Sequence, residues 1–304
     1  MAVKVVLTSE KDRYESIYKA LNLLTKEITA QIKTIDKKDH LKNYILIKPN
    51  CVVENKPLAA THPEAIRAVL DFLAPIWQGP VFLAEGAGVG STMTAFQNYG
   101  YLKLKIDFPE LQFLDLNYAY AIFVDIFDNQ LRPLTIKIAN KITECPFRIS
   151  IGPPKTHDAV IVTCSIKNLA VGSILKEDKP KIHQGFEAIN RSIAALYEYT
   201  FPHLAIIDGW EGMEGDGPSE GEKVETHFCL ASMEAIAADT IATEIIGFNP
   251  ENIGYLNYLG APKIKDKIEF VGQNPFDFRY HFKPHKNFLK QLSWQKQTIK
   301  NNHG

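Results

Sequence analysis

Short runs of β-branched residues alternate with amphipathic stretches in the first third of the chain. The pattern predicts, in order, a strand over residues 3–9, a helix over 13–32, a strand over 44–50, a helix over 63–73 and a strand over 80–86. Thr61 or His62 is expected to cap the second helix, which has Pro63 in its first turn. Strands and helices that alternate in this way are typical of an α/β protein with a largely parallel sheet.

The later part of the chain departs from this regular alternation. Residues 111–138 have high strand propensity around Asp128 and Asn129, which predicts an antiparallel hairpin rather than another crossover. Further predicted elements are helices over 188–199 and 233–246, a strand over 203–209 and a polar helix in the tail from Lys283. We therefore predict a Rossmann-like α/β fold with a mixed, mostly parallel sheet and helices on both faces. Residues 1–304 are expected to form one compact body, on which residues 261–304 pack as a C-terminal extension.

Composition and charge narrow the class of protein. The 304 residues are 45% hydrophobic, which is enough for a full core in a globular protein. The chain balances 34 basic against 35 acidic residues, so we expect no nucleic-acid partner. The sequence leaves an oligomer open.

The start of the chain and its cysteines bear on location and cofactors. No signal peptide and no apolar run long enough for a membrane span are evident, so we expect a cytoplasmic protein without a membrane partner. The four cysteines are widely spaced and form no C-x-x-C pair. We therefore expect reduced thiols and no intrinsic iron–sulfur cluster.

Residues 152–185 are the first candidate for chemistry, since Gly and Pro punctuate a segment that holds Lys155, His157, Lys167 and His183. Imidazoles serve as metal ligands or proton carriers, and a lysine in a dry pocket can act as a nucleophile or a cofactor anchor. We expect these side chains in a loop with little reason to be core. The alternative is that they are solvated loop residues without a function.

Other strand ends add candidates for substrate binding. Lys48 and Asn50 end one predicted strand, and Glu85 ends the next, before the glycine-rich turn "GAGVG". That turn lacks the spacing of a dinucleotide-binding fingerprint. Because ligands bind outside the carboxyl ends of strands in open α/β sheets, we expect Lys48, Glu85, His157 and Lys167 to line a common cleft.

Residues 208–222 form an acidic, glycine-rich segment that we predict to be an irregular loop. Its carboxylates suit a divalent cation, although the spacing is not that of a calcium-binding hand. Asp208, Glu214 and Asp216 are therefore candidate metal ligands together with His183. The alternatives are a substrate loop and a purely structural turn.

Several strings of the sequence together resemble the domain of unknown function 362 family. They are "LIKPN", "EGAG", "PKTH", "SIKNLAVG", "IDGWEGMEGDGP" and "ADTIATEIIGFNPE", within residues 44–260. The resemblance implies no particular reaction. Many members of that family append a ferredoxin module with clustered cysteines, which this chain lacks.

The order of His157, Lys167 and His183 is also similar to the nickel-pincer lactate racemase family. That resemblance implies that His157 is an acid/base, that Lys167 anchors a pyridinium cofactor and that His183 binds nickel. Lys48 and Pro49 would bind an anionic group. The chain departs from that family around "TCSIKN", and Val89 to Ser91 offer no second acid/base histidine.

Together these features predict an enzyme that acts on a small anionic substrate of the carboxylate type. Its candidate catalytic residues are His157, Lys155 and Lys167, and its candidate substrate-binding residues are Lys48, Asn50, Glu85 and Asn168. We expect a divalent metal or a lysine-held cofactor, and racemase-, isomerase- or redox-like chemistry. The alternatives are a non-catalytic metal- or ligand-binding protein that hands its cargo to a partner, and an oxidoreductase that receives electrons from a ferredoxin.

Overall fold

Strands and helices alternate along most of the chain, of which the computed structural model describes residues 2–35 and 42–295. The strands are β1 Val3–Thr8, β2 Ile45–Lys48, β3 Val81–Glu85, β4 Leu111–Asp115, β5 Ala121–Phe127, β6 Pro133–Ala139, β7 Phe147–Gly152, β8 Lys155–His157, β9 Ile161–Thr163, β10 Leu204–Glu214, β11 Glu222–Ser232 and β12 Ile268–Gly272. The helices are α1 Arg13–Leu23, α2 Thr25–Lys33, α3 Pro63–Leu73, α4 Thr92–Asn98, α5 Asn140–Thr143, α6 Ser165–Gly172, α7 Phe186–Thr200, α8 Ala235–Ile245, α9 Gly254–Tyr258, α10 Ala261–Ile264 and α11 Phe288–Gln291.

One large mixed sheet organises the molecule. Its main strands lie in the order β12-β1-β11-β10-β7-β2-β3-β4, and β8 and β9 extend it beside β10. The strands from β10 to β4 are all parallel, whereas β11 runs antiparallel to both of its neighbours. Parallel strands must be joined by crossovers, which the chain supplies mainly with helices. The predicted mixed, mostly parallel α/β sheet is confirmed.

Both faces of this sheet are covered, as the alternation of side chains along β10 demonstrates. Leu204 and Ile206 join the hydrophobic core that α1 and α3 cover, whereas Ala205 and Ile207 join the core that α7 and α8 cover. Successive side chains of a strand point to opposite faces of the sheet. A strand that is apolar at every position therefore connects two cores.

The helix predicted over residues 13–32 is two helices, because the chain breaks at Leu24. The backbone of Leu24 leaves helical geometry, with φ −106° and ψ 8°. The hydroxyl of Thr25 donates to the carbonyl of Asn22 at 2.8 Å, so a side chain competes for a backbone acceptor at this point. Helix α3 has the predicted bounds, and the Nδ1 atom of His62 accepts the N–H of Glu64 at its start.

Residues 111–138 divide between two sheets. β4 lies parallel to β3 in the main sheet, so the prediction that this region lacks another crossover is wrong for its first strand. β5 and β6 form the predicted antiparallel hairpin, as a separate two-stranded sheet. The carboxylate of Asp128 accepts the N–H groups of Gln130 and Arg132 and closes the turn.

Residues 208–214 of the acidic segment are strand, so the predicted long loop is wrong for its first half and is confined to the turn over residues 215–221. β10 continues to Glu214 and pairs antiparallel with β11, which begins at Glu222. Two of its glycines are positions where aromatic rings pack onto the strand. A methyl group at Gly209 would overlap the ring of Phe228, and one at Gly212 would meet the ring of Phe282.

The end of the chain contributes to both the sheet and the surface. β12 joins the main sheet beside β1 as a parallel edge strand. The helix predicted from Lys283 is confined to the short α11 within the described residues, and the last part of that prediction lies outside them. None of the helices in residues 2–35 and 42–295 is long and apolar enough to cross a bilayer.

Candidate functional site

A cleft of about 510 Å³ opens at the carboxyl ends of the parallel strands. The ends of β2 and β3, the end of β8 and one side of α6 form its walls. The sequence-predicted residues that line it are Lys48, Asn50, Glu85, His157, Lys167, Asn168 and His183. The residues expected to share a cleft are thus brought together by the fold, because strands that run in parallel end at the same edge of the sheet.

The floor of the cleft contains a buried ion pair. The Nζ atom of Lys48 donates to Oε1 of Glu85 at 2.5 Å, and the two residues are 1% and 2% exposed. The carboxylate of Glu85 also accepts the N–H groups of Cys51 at 2.8 Å and Gly86 at 2.7 Å. Buried charges persist only when they are paired and hydrogen-bonded in this way. Glu85 is therefore committed to protein partners.

Two asparagines connect this pair to the neighbouring strands. Oδ1 of Asn168 accepts from Lys48 at 3.1 Å and from Asn50 at 3.0 Å, and its Nδ2 donates to Ser150 at 3.1 Å. Oδ1 of Asn50 accepts from Lys155. The network fixes the relative positions of β2, β7 and α6 beneath the cleft.

Lys155 lies behind this network and is not among the residues that line the cleft. Its ammonium donates to Asn50 and to the carbonyl of Ala59, and the residue is fully buried. Burial, and secondarily the charge of Lys167, lowers the pKa of Lys155 to about 7. Its position favours a supporting role over the predicted catalytic one.

Lys167 lies on α6 and lines the cleft while only 8% exposed. Within residues 2–35 and 42–295 no hydrogen-bond or ion-pair partner stands next to its amine, whereas Lys48, Lys155 and Lys179 each donate to a protein oxygen. Burial lowers the pKa of Lys167 to about 8, against the opposing charge of Asp158. A tenth or so of the amine is therefore uncharged at pH 7.

The start of α6 is held by a buried carboxylate from α8. The two oxygens of Asp239 accept the backbone N–H groups of Ser165 and Ile166, each at 2.9 Å. These N–H groups belong to the first turn of the helix and have no partner inside it. Asp239 thereby fixes the position of the turn that carries Lys167.

His157 ends β8 and is 3% exposed. Burial, with a smaller contribution from Lys167, lowers its pKa to about 3, so the ring is neutral at pH 7. Its Nδ1 atom lies 3.0 Å from the N–H of Ala159 and 2.9 Å from Oδ1 of Asp158. The contact with Ala159 suits the neutral tautomer with its proton on Nε2, and the contact with Asp158 suits the neutral tautomer with its proton on Nδ1. The Nε2 atom faces no protein partner in either tautomer among the described residues.

The mouth of the cleft carries a lysine and a histidine. Lys179 donates to the carbonyl of Ile174, and burial lowers its pKa to about 7. His183 is exposed at the mouth, and desolvation against the cleft wall, followed by the charge of Lys167, lowers its pKa and favours the neutral ring. Since Lys48 and Glu85 offset each other, the amines of Lys167 and Lys179 outnumber the one remaining carboxylate of the lining, that of Asp158, and the cleft attracts anions.

Comparison with known proteins places this chain in a family. Residues 45–244 match the model described as "Domain of unknown function (DUF362)". The chain belongs to the DUF362 family. A relative is the thylakoid-associated protein sll1697 of Synechocystis sp., with 28% identity over 217 residues, which is 69% of this chain and 64% of that protein. The chain thus spans somewhat less than two thirds of that relative.

The DUF362 fold also occurs in a solved structure. The lactate racemase apoprotein from Thermoanaerobacterium thermosaccharolyticum superposes with a TM-score of 0.52 at 13% identity, over 79% of this chain and 56% of that chain. At this identity the match establishes the shared fold alone. The expected resemblance to both families is confirmed at that level.

The predicted metal ligands of this DUF362 chain are not brought together. Asp208 accepts from Arg13 at 3.0 Å, Glu214 accepts the backbone N–H of Lys283 at 2.8 Å, and Asp216 accepts from Lys286 at 3.3 Å. Only His183 of the four lines the cleft. In the described part of the chain, no three His, Cys, Asp or Glu side chains converge as a metal site. The metal role of His183 stays a prediction.

The structure corrects the expected surroundings of residues 152–185. Lys155, His157 and Lys167 lie on a strand and a helix and are buried, because β8 pairs with β10 and α6 packs under α7. Sequence reasoning also missed Asp239 and Gly172. The signals for them are an acid in the middle of the mostly apolar string "AIAADTIATEI" and a glycine at the end of "SIKNLAVG". Neither identifies its partner.

Proposed function

We propose that this DUF362 protein is an enzyme that binds a small carboxylate in the cleft and moves a proton on it, as a racemase or isomerase does. One observation carries the proposal. The amine of Lys167 and the imidazole of His157 share a cationic cleft, and protein groups bind neither the amine nor the Nε2 atom of the ring within the described residues. Reactive groups held without protein partners are available to a ligand.

The residues divide between binding and chemistry. Lys179 and the positive field of the other lysines attract the carboxylate, while Asn50, Glu85 and Asn168 hold Lys48 in place. The Nε2–H of His157 donates a hydrogen bond to a substrate oxygen and stabilises the negative charge that develops there. Lys167 supplies a partly uncharged amine in a dry site.

Among these residues, a cofactor held by the protein would fit only at Lys167. Lys167 provides a free amine for a lysine-held cofactor, which would supply an electron acceptor next to the substrate. A metal held by side chains alone does not fit, since no three His, Cys, Asp or Glu side chains converge among the residues described. We derive no step through a metal.

The test is hydrogen exchange on small carboxylates in D₂O, followed by proton NMR. Wild type is expected to exchange a carbon-bound hydrogen of lactate or pyruvate, and His157→Ala and Lys167→Met should slow exchange at least 100-fold. Lys103→Met, an exposed lysine away from the cleft, is the control. A thermal shift with these carboxylates but no exchange would favour the alternative of a ligand-binding protein. No shift with any carboxylate would refute both.

A further inference from the structure

Lys167 differs from the other lysines of the cleft in what surrounds its amine. The Nζ atoms of Lys48, Lys155 and Lys179 each donate to a carbonyl, carboxylate or amide oxygen of the protein. The amine of Lys167 has no such acceptor in residues 2–35 and 42–295, although the residue is 8% exposed. Because Lys167 lines the open cleft, its unpartnered amine is available to a ligand.

A second polar group in the same wall also lacks a partner. The hydroxyl of Thr163, at the end of β9, is buried and forms no hydrogen bond with the described residues. Thr163 lines the cleft together with Lys167 and His157. Unpaired buried polar groups call for an explanation, and a bound ligand that contacts them is one. The wall therefore offers a nucleophile beside two groups that can donate to an oxygen.

Building on the proposed carboxylate function, we propose that Lys167 forms a reversible imine with a substrate whose carbonyl group adjoins its carboxylate, a 2-oxo acid. The cations of the cleft mouth bind the carboxylate. The carbonyl carbon then meets the amine of Lys167, and the carbonyl oxygen meets the donors of His157 and Thr163. Plain carboxylic acids bind but form no covalent adduct.

The covalent step balances with water as its only by-product. The amine nitrogen bonds to the carbonyl carbon, and the former carbonyl oxygen becomes a hydroxyl with one proton from the amine. That hydroxyl, which accepts a hydrogen bond from the imidazole of His157, takes a further proton from solvent and leaves as water. The nitrogen keeps one hydrogen as a protonated imine, which makes the hydrogens on the next carbon exchangeable.

The experiment traps this imine by reduction. Wild-type protein is incubated with pyruvate and sodium cyanoborohydride, and its intact mass is expected to rise by one reduced pyruvate unit. Peptide mapping should place that unit on Lys167. Trapping should increase as pH rises through about 8, because the free amine is the nucleophile. Lysine Lys181, exposed in the same segment, reports the background reaction of surface amines.

Variants of Lys167 and Lys181, and competition by lactate, distinguish an imine on Lys167 from the background reaction of surface amines. Lys167→Arg should lose the adduct, Lys181→Arg should keep it, and excess lactate should suppress it in wild type without any mutation. No adduct on Lys167 with pyruvate or 2-oxoglutarate, while the protein still exchanges a carbon-bound hydrogen of lactate, would overturn the imine and leave the proposed function standing. An adduct on Lys155 or Lys179 in place of Lys167 would also overturn it. Absence of both adduct and thermal shift would overturn the proposed function as well.

Discussion

The ammonium of Lys48 lies 2.5 Å from a carboxylate oxygen of Glu85, at the ends of two adjacent parallel strands. Both side chains are buried, and Asn168 of α6 accepts a third bond from the ammonium. The ion pair therefore joins β2, β3 and the helix that carries Lys167. Both the free energy of unfolding and the binding of carboxylates should therefore depend on this ion pair.

Removing one partner of this pair leaves the other charge buried without compensation. We expect Glu85→Gln to lower the free energy of unfolding by about 3–5 kcal/mol, measured by urea denaturation. The double variant Lys48→Met with Glu85→Leu should recover part of the loss, because it buries no charge. Glu177→Gln, which breaks the exposed pair with Lys137, is the control and should change little. Equal losses for Glu85→Gln and Glu177→Gln would contradict the prediction.

Gly172 lets the end of α6 approach the ion pair. A methyl group there would overlap the end of the Lys48 side chain and come within 3.2 Å of Oε1 of Glu85. We expect Gly172→Ala to cost about 1–3 kcal/mol of stability and to weaken the binding of carboxylates in a thermal-shift titration. The penalty should shrink in a Lys48→Ala background, where the overlapping atoms are absent. An unchanged penalty in that background would show that the cost arises elsewhere.

The ionisation of Asp239 should make the free energy of unfolding depend on pH. Burial raises its pKa from the ordinary value of 3.8 to about 7, so the folded state holds a proton that the unfolded state has lost. A raised pKa contributes stability that is fully present below about pH 4 and is lost as pH rises through about 7. Relative to Asp239→Asn, which cannot ionise, wild type should therefore lose unfolding free energy between pH 4 and pH 7.

The measurement is chemical denaturation of both proteins across that range. The substitution itself should cost about 1–3 kcal/mol at low pH, because the amide group cannot accept both N–H groups of α6. Parallel curves for the two proteins would mean that Asp239 keeps one protonation state on folding.

Arg13 holds Asp208, one of the carboxylates that the sequence suggested as metal ligands, together with Glu211. It donates to Asp208 at 3.0 Å and to Glu211 at 2.9 Å, and Asp208 is 2% exposed. Arg13→Ala should destabilise the fold by about 3–5 kcal/mol, and adding Asp208→Asn should restore part of it. Carboxylate binding by the folded protein should not change in Asp208→Asn. If Asp208→Asn loses carboxylate binding while its free energy of unfolding is unchanged, Asp208 is part of the binding site.

The sequence by itself determined the architecture and the members of the cleft that lie at strand ends. Runs such as residues 45–47 and 204–207 are apolar at every position, which requires a strand covered on both faces. Parallel strands place their carboxyl ends at one edge, so Lys48 and Glu85 had to lie near each other. The segment that carries His157 and Lys167 lines the cleft for the same reason, because it follows the carboxyl end of a parallel strand.

Only the tertiary structure decided which polar groups are free. Asp208 and Glu85 are both acids after apolar strands, yet Arg13 binds one and Lys48 the other, across 195 and 37 residues of chain. The same applies to Lys155 and Lys167, of which Asn50 binds the first and no described residue binds the second. The periodicity of apolar residues in a short stretch of sequence indicates which side chains are buried. It carries no information on distant partners, and the partners decide which amine remains available to a ligand.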